Sequence, residues 1–460
     1  MRLLLCACVL WGGCSVALNF DECTKDPDCA GHQVDGGSQF YCTSDHLCVG
    51  ALPEERLCTA GLVGAKPDGT TVMVAGLFRL SGAAGDKDTE MANAAMLAIN
   101  EVNTVGQKPI GMVLCDTAGD GVPERAIQRA ITQYHIVGAV GPTTSGDTKA
   151  VIDLAKANDI LLISPSATSP TLTNADDNGL LWRTAASDNL QSKVLAQIIM
   201  IPPSPSPVPR VNIAYADSAY GLGLDGAFID SWTKASGTAP VSTVKYEEGS
   251  DPAVTVGKLA DDTPDYSVIV ADTDAQVLVA ALSGGGPNLA ATKFLFTDGA
   301  KGSDLLLNPD PSVLARVSGT GPATPTGVVY ESFASTYKNQ FGTDPADTAF
   351  VANAYDATYA LSLCIAGLAG GVQPTGSALA AVLQRMSASG QLIVNVGPNG
   401  FTTGASALAA GGTIDLEGTS SHLSWDNATG DLTTAPIEVW TIDLTNPAKP
   451  TFKTVMVVTP

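Results

Sequence analysis

Two runs of the chain set its pattern. From residue 71, short continuous apolar stretches alternate with segments in which apolar residues recur every three or four positions. "TVMVAGLF", "GMVLCD", "HIVGAVGP" and "ILLISP" are uninterrupted and of strand length. "DKDTEMANAAMLAINEVN", "VPERAIQRAITQY" and "DTKAVIDLAKAND" carry a helical stripe. Continuous apolar strands between amphipathic helices predict a parallel sheet covered on both faces. The pattern restarts after "LWRTAASD". Helix "NLQSKVLAQIIM" leads through a Pro-rich loop to strands "VNIAYAD", "VSTVKYEE", "YSVIVAD" and "KFLFTDG", with helices "YGLGLDGAFIDSWTKA", "PAVTVGKLADD" and "DAQVLVAALSGG" between them. This predicts a second α/β sheet. After "TGVVYES" come helices "TAFVANAYDATYALSLCIAGLAGG" and "SALAAVLQRMSA". The end of the chain, with its Gly and Asn-Asp turn signals, predicts closing strands.

The first 58 residues break this pattern. "MRLLLCACVLWGGCSVA" reads as an export signal over residues 1–17, with Arg2 before a short apolar core. Two cleavage readings stand. "WGGC" resembles a bacterial lipobox, which makes Cys14 the lipid attachment site and the mature N-terminus, and this is the expectation taken forward. "SVA" allows ordinary cleavage after Ala17. Residues 18–58 form a Cys-rich module in which Cys23, Cys29, Cys42 and Cys48 are spaced by five, twelve and five residues. So small and polar a segment needs staples, which predicts two disulfides in one of three pairings. Zinc is the competing reading. Cys58, Cys115 and Cys364 are left over, and one pair plus one buried thiol is the simplest arrangement. Residues 59–70 read as a linker.

Composition narrows the classes. The chain has 460 residues, 45% of them apolar, which is enough for more than one core. Its net charge of −22 argues against nucleic acid or an anionic membrane as partner. Only four histidines are present, and no GxSxG, HExxH or Walker pattern, so the reading is not an enzyme, with no cofactor and no metal.

Candidate chemistry lies where strands end. In open parallel sheets, ligands bind outside the carboxyl ends of the strands. One sheet offers "GPTTSGDT" and the hydroxyl-rich "SPSATSPTLT" there, each next to a helix start suited to a carboxylate. The other offers "DSAYG", "ADTDAQ" and "FTDGAKG", with Tyr220, Asp272, Asp274 and Asp298. One half suits an anionic end, the other a cationic end. Taken singly, each feature is equally an N-cap or a turn former.

The run "VGAVGPTTSGDTKAVIDLAKANDILLISPSATSPTLT", with "MANAAMLAINEVN", "LWRTAASDNLQ", "IAYADSAYGLGLDGAF", "FLFTDGAKG" and "TIDLEGTSSHLSWDNATGDL", resembles the type I periplasmic binding proteins of the Leu/Ile/Val-binding class, related to receptor ligand-binding regions. The resemblance covers roughly 71–445. It implies two doubly wound lobes joined by three crossings, near 185–189, 328–333 and 412–417. Lobe 1 is then 71–187 with 331–414, and lobe 2 is 188–330 with 415–460. A ligand lies between them, and the lobes close on it by hinge motion. The implied carboxylate ligands are Ser145, Ser166, Thr168 and the backbone of Ala167. Asp298 meets the ammonium, Tyr220 is the lobe 2 aromatic, and Thr273 stands where the family often has another aromatic. The implied function is an exported solute-binding protein, periplasmic or at the cell surface, that hands an amino acid-like molecule to an ABC transporter permease. The alternative is a surface receptor or interaction lipoprotein of the same fold. Two departures are visible. "RLSGAAGDKDTE" lacks the family's aromatic, and the pocket is more polar and acidic than one built for leucine.

Overall fold

The computed structural model describes residues 41–42, 48–49, 57–58 and 62–460, apart from 83–84, 107, 120, 203–204 and 308–309. The signal peptide, Cys14, Cys23 and Cys29 lie outside the described residues. The chain divides into two compact units, Met1–Pro53 and Glu54–Pro460. In the first, β1 (Tyr41–Cys42) pairs antiparallel with β2 (Cys48–Val49), placing Cys42 opposite Cys48. Cys48 is disulfide-bonded.

The second unit opens with β3 (Leu62–Gly64), β4 (Val72–Phe78), α1 (Gly85–Val105), β5 (Ile110–Asp116), α2 (Val122–Tyr134), β6 (Gly138–Val140), α3 (Ser145–Ala157), β7 (Leu161–Ser164) and β8 (Leu181–Arg183). Their sheet runs β3-β5-β4-β6-β7-β8, all parallel except β3. Burial on β4 explains the continuous apolar run. Val74 and Phe78 join the core under α1, while Met73, Ala75 and Leu77 are buried on the other face.

Then follow α4 (Asp188–Ile199), β9 (Val211–Ala216), α5 (Ala219–Ser236), β10 (Ser242–Tyr246), α6 (Pro252–Ala260), β11 (Tyr266–Val270), α7 (Ala275–Ala281), β12 (Lys293–Phe296), α8 (Pro311–Leu314) and β13 (Val317–Pro322). The chain returns through α9 (Val328–Phe341), α10 (Val351–Ala366), α11 (Gly376–Leu383), β14 (Leu392–Asn395), α12 (Pro398–Ala409) and β15 (Ile414–Glu417), and ends in β16 (Ile437–Asp443) and β17 (Thr451–Val458). The second sheet runs β10-β9-β11-β12-β13-β16-β17, with the last two strands antiparallel. Its faces separate cleanly. Ile269, Phe294 and Phe296 pack with α6 and α7, while Val268, Val270 and Leu295 pack with α4 and α5. Among the described residues no helix is long and apolar enough to cross a membrane.

Three boundaries differ from expectation. The stretch 59–70 is not only a linker, because β3 pairs with β5 and Cys58 is bonded to Cys115 on β5. Cys58 therefore belongs with the body, not with the Cys-rich module. Cys364 is the buried free thiol. The second crossing precedes α9, since Tyr330, Phe333 and Tyr337 already bury in the first core. The third lies well beyond 412–417. Ile414, Leu416, Leu423, Trp425 and Leu432 remain in the first core, and the chain reaches the second sheet only at Ile437. The strand-like run "TIDLE" gives no sign of which sheet it joins; packing decides that.

Helix α12, "PNGFTTGASALA", has no counterpart in the sequence reading, because Gly, Thr and Ser are weak helix formers. Tertiary packing overrides that weakness. Pro398 starts the helix, and Phe401 and Leu408 bury beneath it. Gly400 lies so close to β14 that a Cβ would sit 2.0 Å from the Asn395 carbonyl.

Candidate functional site

The ends of β4, β6 and β7 on one lobe face the ends of β9, β11 and β12 on the other. Between them lies a cavity of about 60 Å³, lined by Lys87, Asp88, Met91, Thr143, Thr144, Ser145, Ser166, Thr168, Tyr220, Asp272, Asp298, Gly299 and Phe350. Five expected residues meet there: Ser145, Ser166, Thr168, Tyr220 and Asp298.

On lobe 1 the hydroxyls are held in a fixed frame. Thr144 caps α3 by accepting from the Asp147 amide. Ser145, at the first turn, accepts from the Ser169 amide at 3.1 Å. The Ser166 hydroxyl donates to the Thr143 carbonyl at 2.8 Å. Arg183, fully buried, holds the loop from behind. It donates to the carbonyls of Ala167 and Ser169, to the Thr173 hydroxyl and to Asp431. Two corrections follow. Ala167 is fully buried, with its amide committed to the Ser164 hydroxyl and its carbonyl to Arg183, so its backbone is frame rather than free ligand. Ser164 and Thr173 likewise tie the loop to lobe 1, on the Pro142 carbonyl and Asp431, while the Ser169 hydroxyl donates to the Ala219 carbonyl of lobe 2.

On lobe 2 the Tyr220 hydroxyl donates to Asp298 at 2.7 Å and lies 2.7 Å from the Thr297 hydroxyl. Asp298 is buried. Beside it lies Asp188, the first residue of α4 and fully buried. The Thr168 hydroxyl is next to Asp188 and favours its charged form, yet neither Asp188 oxygen makes a well-formed hydrogen bond. Burial pushes both carboxyls up, and the repulsion of Asp298 adds to the rise at Asp188. Two buried acids side by side can take a cation.

Thr273 is placed differently. It lines a separate, outer chamber of about 410 Å³, with Asp86, Glu90, Gln276 and Lys301. The boundary between chambers is Lys87, which sequence reasoning passed over. Its ammonium, on α1 of lobe 1, donates to Asp272 at 3.0 Å and to the Gly299 carbonyl at 2.9 Å, both on lobe 2. Burial lowers the Lys87 pKa, but the nearby carboxylates outweigh this and raise it, so it stays charged. Arg79, also unread, makes a bidentate pair with Asp147 at 2.7 Å. Asp88 accepts from the Arg79 amide and the Thr143 hydroxyl, and burial lifts it to about 6.

Solved structures share this architecture. A leucine binding protein LivK from Thermotoga maritima aligns at 19% identity and a TM-score of 0.68, over 85% of this chain and 99% of that one. A substrate binding protein LivJ from Streptococcus pneumoniae, in complex with isoleucine, aligns at 20% and 0.65, over 85% and 100%. A solute binding protein from Rhodopseudomonas palustris, in complex with 3,4-dihydroxybenzoic acid, aligns at 17% and 0.66, over 85% and 97%. Among sequences, the Leu/Ile/Val-binding protein BraC3 of Rhizobium johnstonii is 32% identical over 36% of this chain, and the match spans 44% of that protein's length. A chemotactic signal transduction substrate-binding protein, BasB of Halobacterium salinarum, is 29% identical over 80% of this chain and 84% of its own. The periplasmic binding protein family model matches residues 71–410, so the chain belongs to the periplasmic binding protein family.

Proposed function

We propose that the chain is an extracytoplasmic solute-binding protein of an ABC-type uptake system, which takes an amino acid or similar small polar amphiphile between its lobes. One observation carries the reading. Ser145 at the start of α3, with Ser166 and Thr168 from the loop after β7, lines one side of a cavity whose other side is Asp298 and Tyr220, with Asp188 behind them. Hydroxyls at a helix N-terminus suit a carboxylate. Paired buried carboxylates suit an ammonium. The ligands in the two liganded structures above, isoleucine and 3,4-dihydroxybenzoic acid, both carry a carboxylate. In this reading hinge closure brings the two half-sites together, and a membrane permease takes the cargo. Export by the N-terminal signal, anchoring through Cys14 and a stapled Cys-rich module extend the same proposal. The likeness to BasB favours a second reading, in which closure is sensed by a signalling partner instead.

Thermal melts of the full chain against free amino acids, small aromatic acids and polyols test it. A ligand at 100 times its Kd adds about 2.7 kcal/mol to the unfolding free energy. A rise confined to amino acids supports the reading. A rise with aromatic acids alone removes the ammonium from it, and a flat panel turns the assignment toward an interaction protein.

A further inference from the structure

The cleft holds a cation of its own. Lys87 comes from lobe 1 and sits on two lobe 2 acceptors, Asp272 and the Gly299 carbonyl next to Asp298. Against its one positive charge the lining of the inner cavity sets Asp88, Asp272 and Asp298, with Asp188 behind them next to the Thr168 hydroxyl. The outer chamber repeats the imbalance. Lys301 is neutralised by the fully buried Glu438, while Asp86 and Glu90 face the chamber. The inner cavity is small. At roughly 10–15 Å³ per water it has room for about five atoms, the size of an amino acid head group without its side chain. A side chain must pass Lys87 into the outer chamber.

Three kinds of side chain meet that gate differently. An apolar one must lie against the Lys87–Asp272 pair and desolvate it, with no compensating bond. An acidic one can draw Lys87 to itself, but leaves Asp272 without its cation. A cationic one can take Lys87's place on Asp272 and release Lys87 toward exposed Asp86, so every charge keeps a partner.

Resting on the amino acid reading, we propose that the ligand is an amino acid with a second cationic group, of the lysine or ornithine type. Its head lies in the inner cavity, and its side-chain ammonium replaces Lys87 on Asp272 at the edge of the outer chamber. Lys87 and Asp272 are then the residues that set specificity.

Isothermal titration of the full chain with L-lysine, L-norleucine and L-glutamate tests this, since norleucine is lysine without the ammonium. The expected result is lysine binding at least tenfold tighter than norleucine, with Lys87→Ala widening the gap and Asp272→Asn closing it. A melt of each unliganded variant reports folding separately, and the wild-type ratio stands without any variant. Norleucine binding as tightly as lysine overturns the inference and leaves the amino acid reading intact. Glutamate binding most tightly, with loss in Lys87→Ala, also overturns it and makes Lys87 an anion ligand. If none of the three binds, nor any other amino acid, both readings fall.

Discussion

Asp298 is where sequence and geometry agree most fully. It follows the strand "KFLF" by two residues, it is buried, and it takes a hydrogen bond from Tyr220. Truncating one partner of a buried charged contact costs about 3 kcal/mol, or roughly a hundredfold in affinity. Asp298→Asn should therefore weaken ligand binding by about that factor with little change in the unliganded melt. Calorimetry showing unchanged affinity would sink the ammonium assignment. The pH dependence has a sign. Burial raises the pKa values of Asp298 and Asp188, so falling pH protonates the acids that would meet an ammonium, and affinity should fall with it. Ser145, Ser166, Thr168, Tyr220 and Asp298 were legible as positions because each lies just beyond the carboxyl end of a strand. Lys87 and Asp188 were not. Lys87 sits in a helix read only for its apolar stripe, and Asp188 in a segment that reads as a lobe crossing. Their roles depend on what the opposite lobe brings near them, which no local pattern encodes. The backbone of Ala167 failed for a related reason: its partners, Ser164 and Arg183, lie three and sixteen residues away, and the second is outside the loop.

At the level of elements, two cross-connections hold the first lobe where the strand-helix pattern says nothing. One is the Cys58–Cys115 bond, which fastens the entry segment to β5 across 57 residues. Loop-closure entropy for such a span is worth roughly 4 kcal/mol. Cys58→Ser with Cys115→Ser should lower the unfolding free energy by up to that much in urea titration, and a loss near zero would place the entry segment outside the cooperative fold. The other is Asp356 on α10. It accepts from the amides and hydroxyls of Thr419 and Ser420 at 2.6–2.8 Å, which pins the segment after β15 to the first core. This clamp is why the third crossing lies beyond 430 rather than near 415. Burial lifts the Asp356 carboxyl from its ordinary 3.8 to about 6, the hydrogen bonds notwithstanding. A folded-state value above the unfolded one means that protonation favours the fold. The stabilisation is complete below about pH 4 and is lost as pH rises through 6, a change of about 3 kcal/mol. Asp88, also lifted to about 6, acts in the same direction. Comparing wild type with Asp356→Asn isolates the Asp356 part. Between pH 4 and 7 the wild type should lose more stability than the variant, and parallel curves would show that the carboxyl ionises as freely folded as unfolded.

Over the whole second unit, the bonds across the cleft are sparse. Lys87 reaches Asp272 and Gly299, and the Ser169 hydroxyl reaches the Ala219 carbonyl at 2.8 Å. The first of these is partly exposed, at 26% for the lysine side chain and 31% for the aspartate. Such a pair is worth at most about 1 kcal/mol and is screened by salt. Even so, 1 kcal/mol changes a two-state ratio about fivefold, which is decisive when open and closed forms are nearly balanced. Among the described residues lining the inner cavity, Lys87 is the one base against Asp88, Asp272 and Asp298, so its contact matters more. Lys87→Ala should therefore open the unliganded protein without melting either lobe. Small-angle scattering should show a larger radius of gyration for the variant than for wild type, and added salt should move wild type toward the variant. If the two profiles coincide at low salt, the lysine does not hold the lobes together. Closure would then belong to the crossings and the ligand alone, and Lys87 would act only on what the cleft admits.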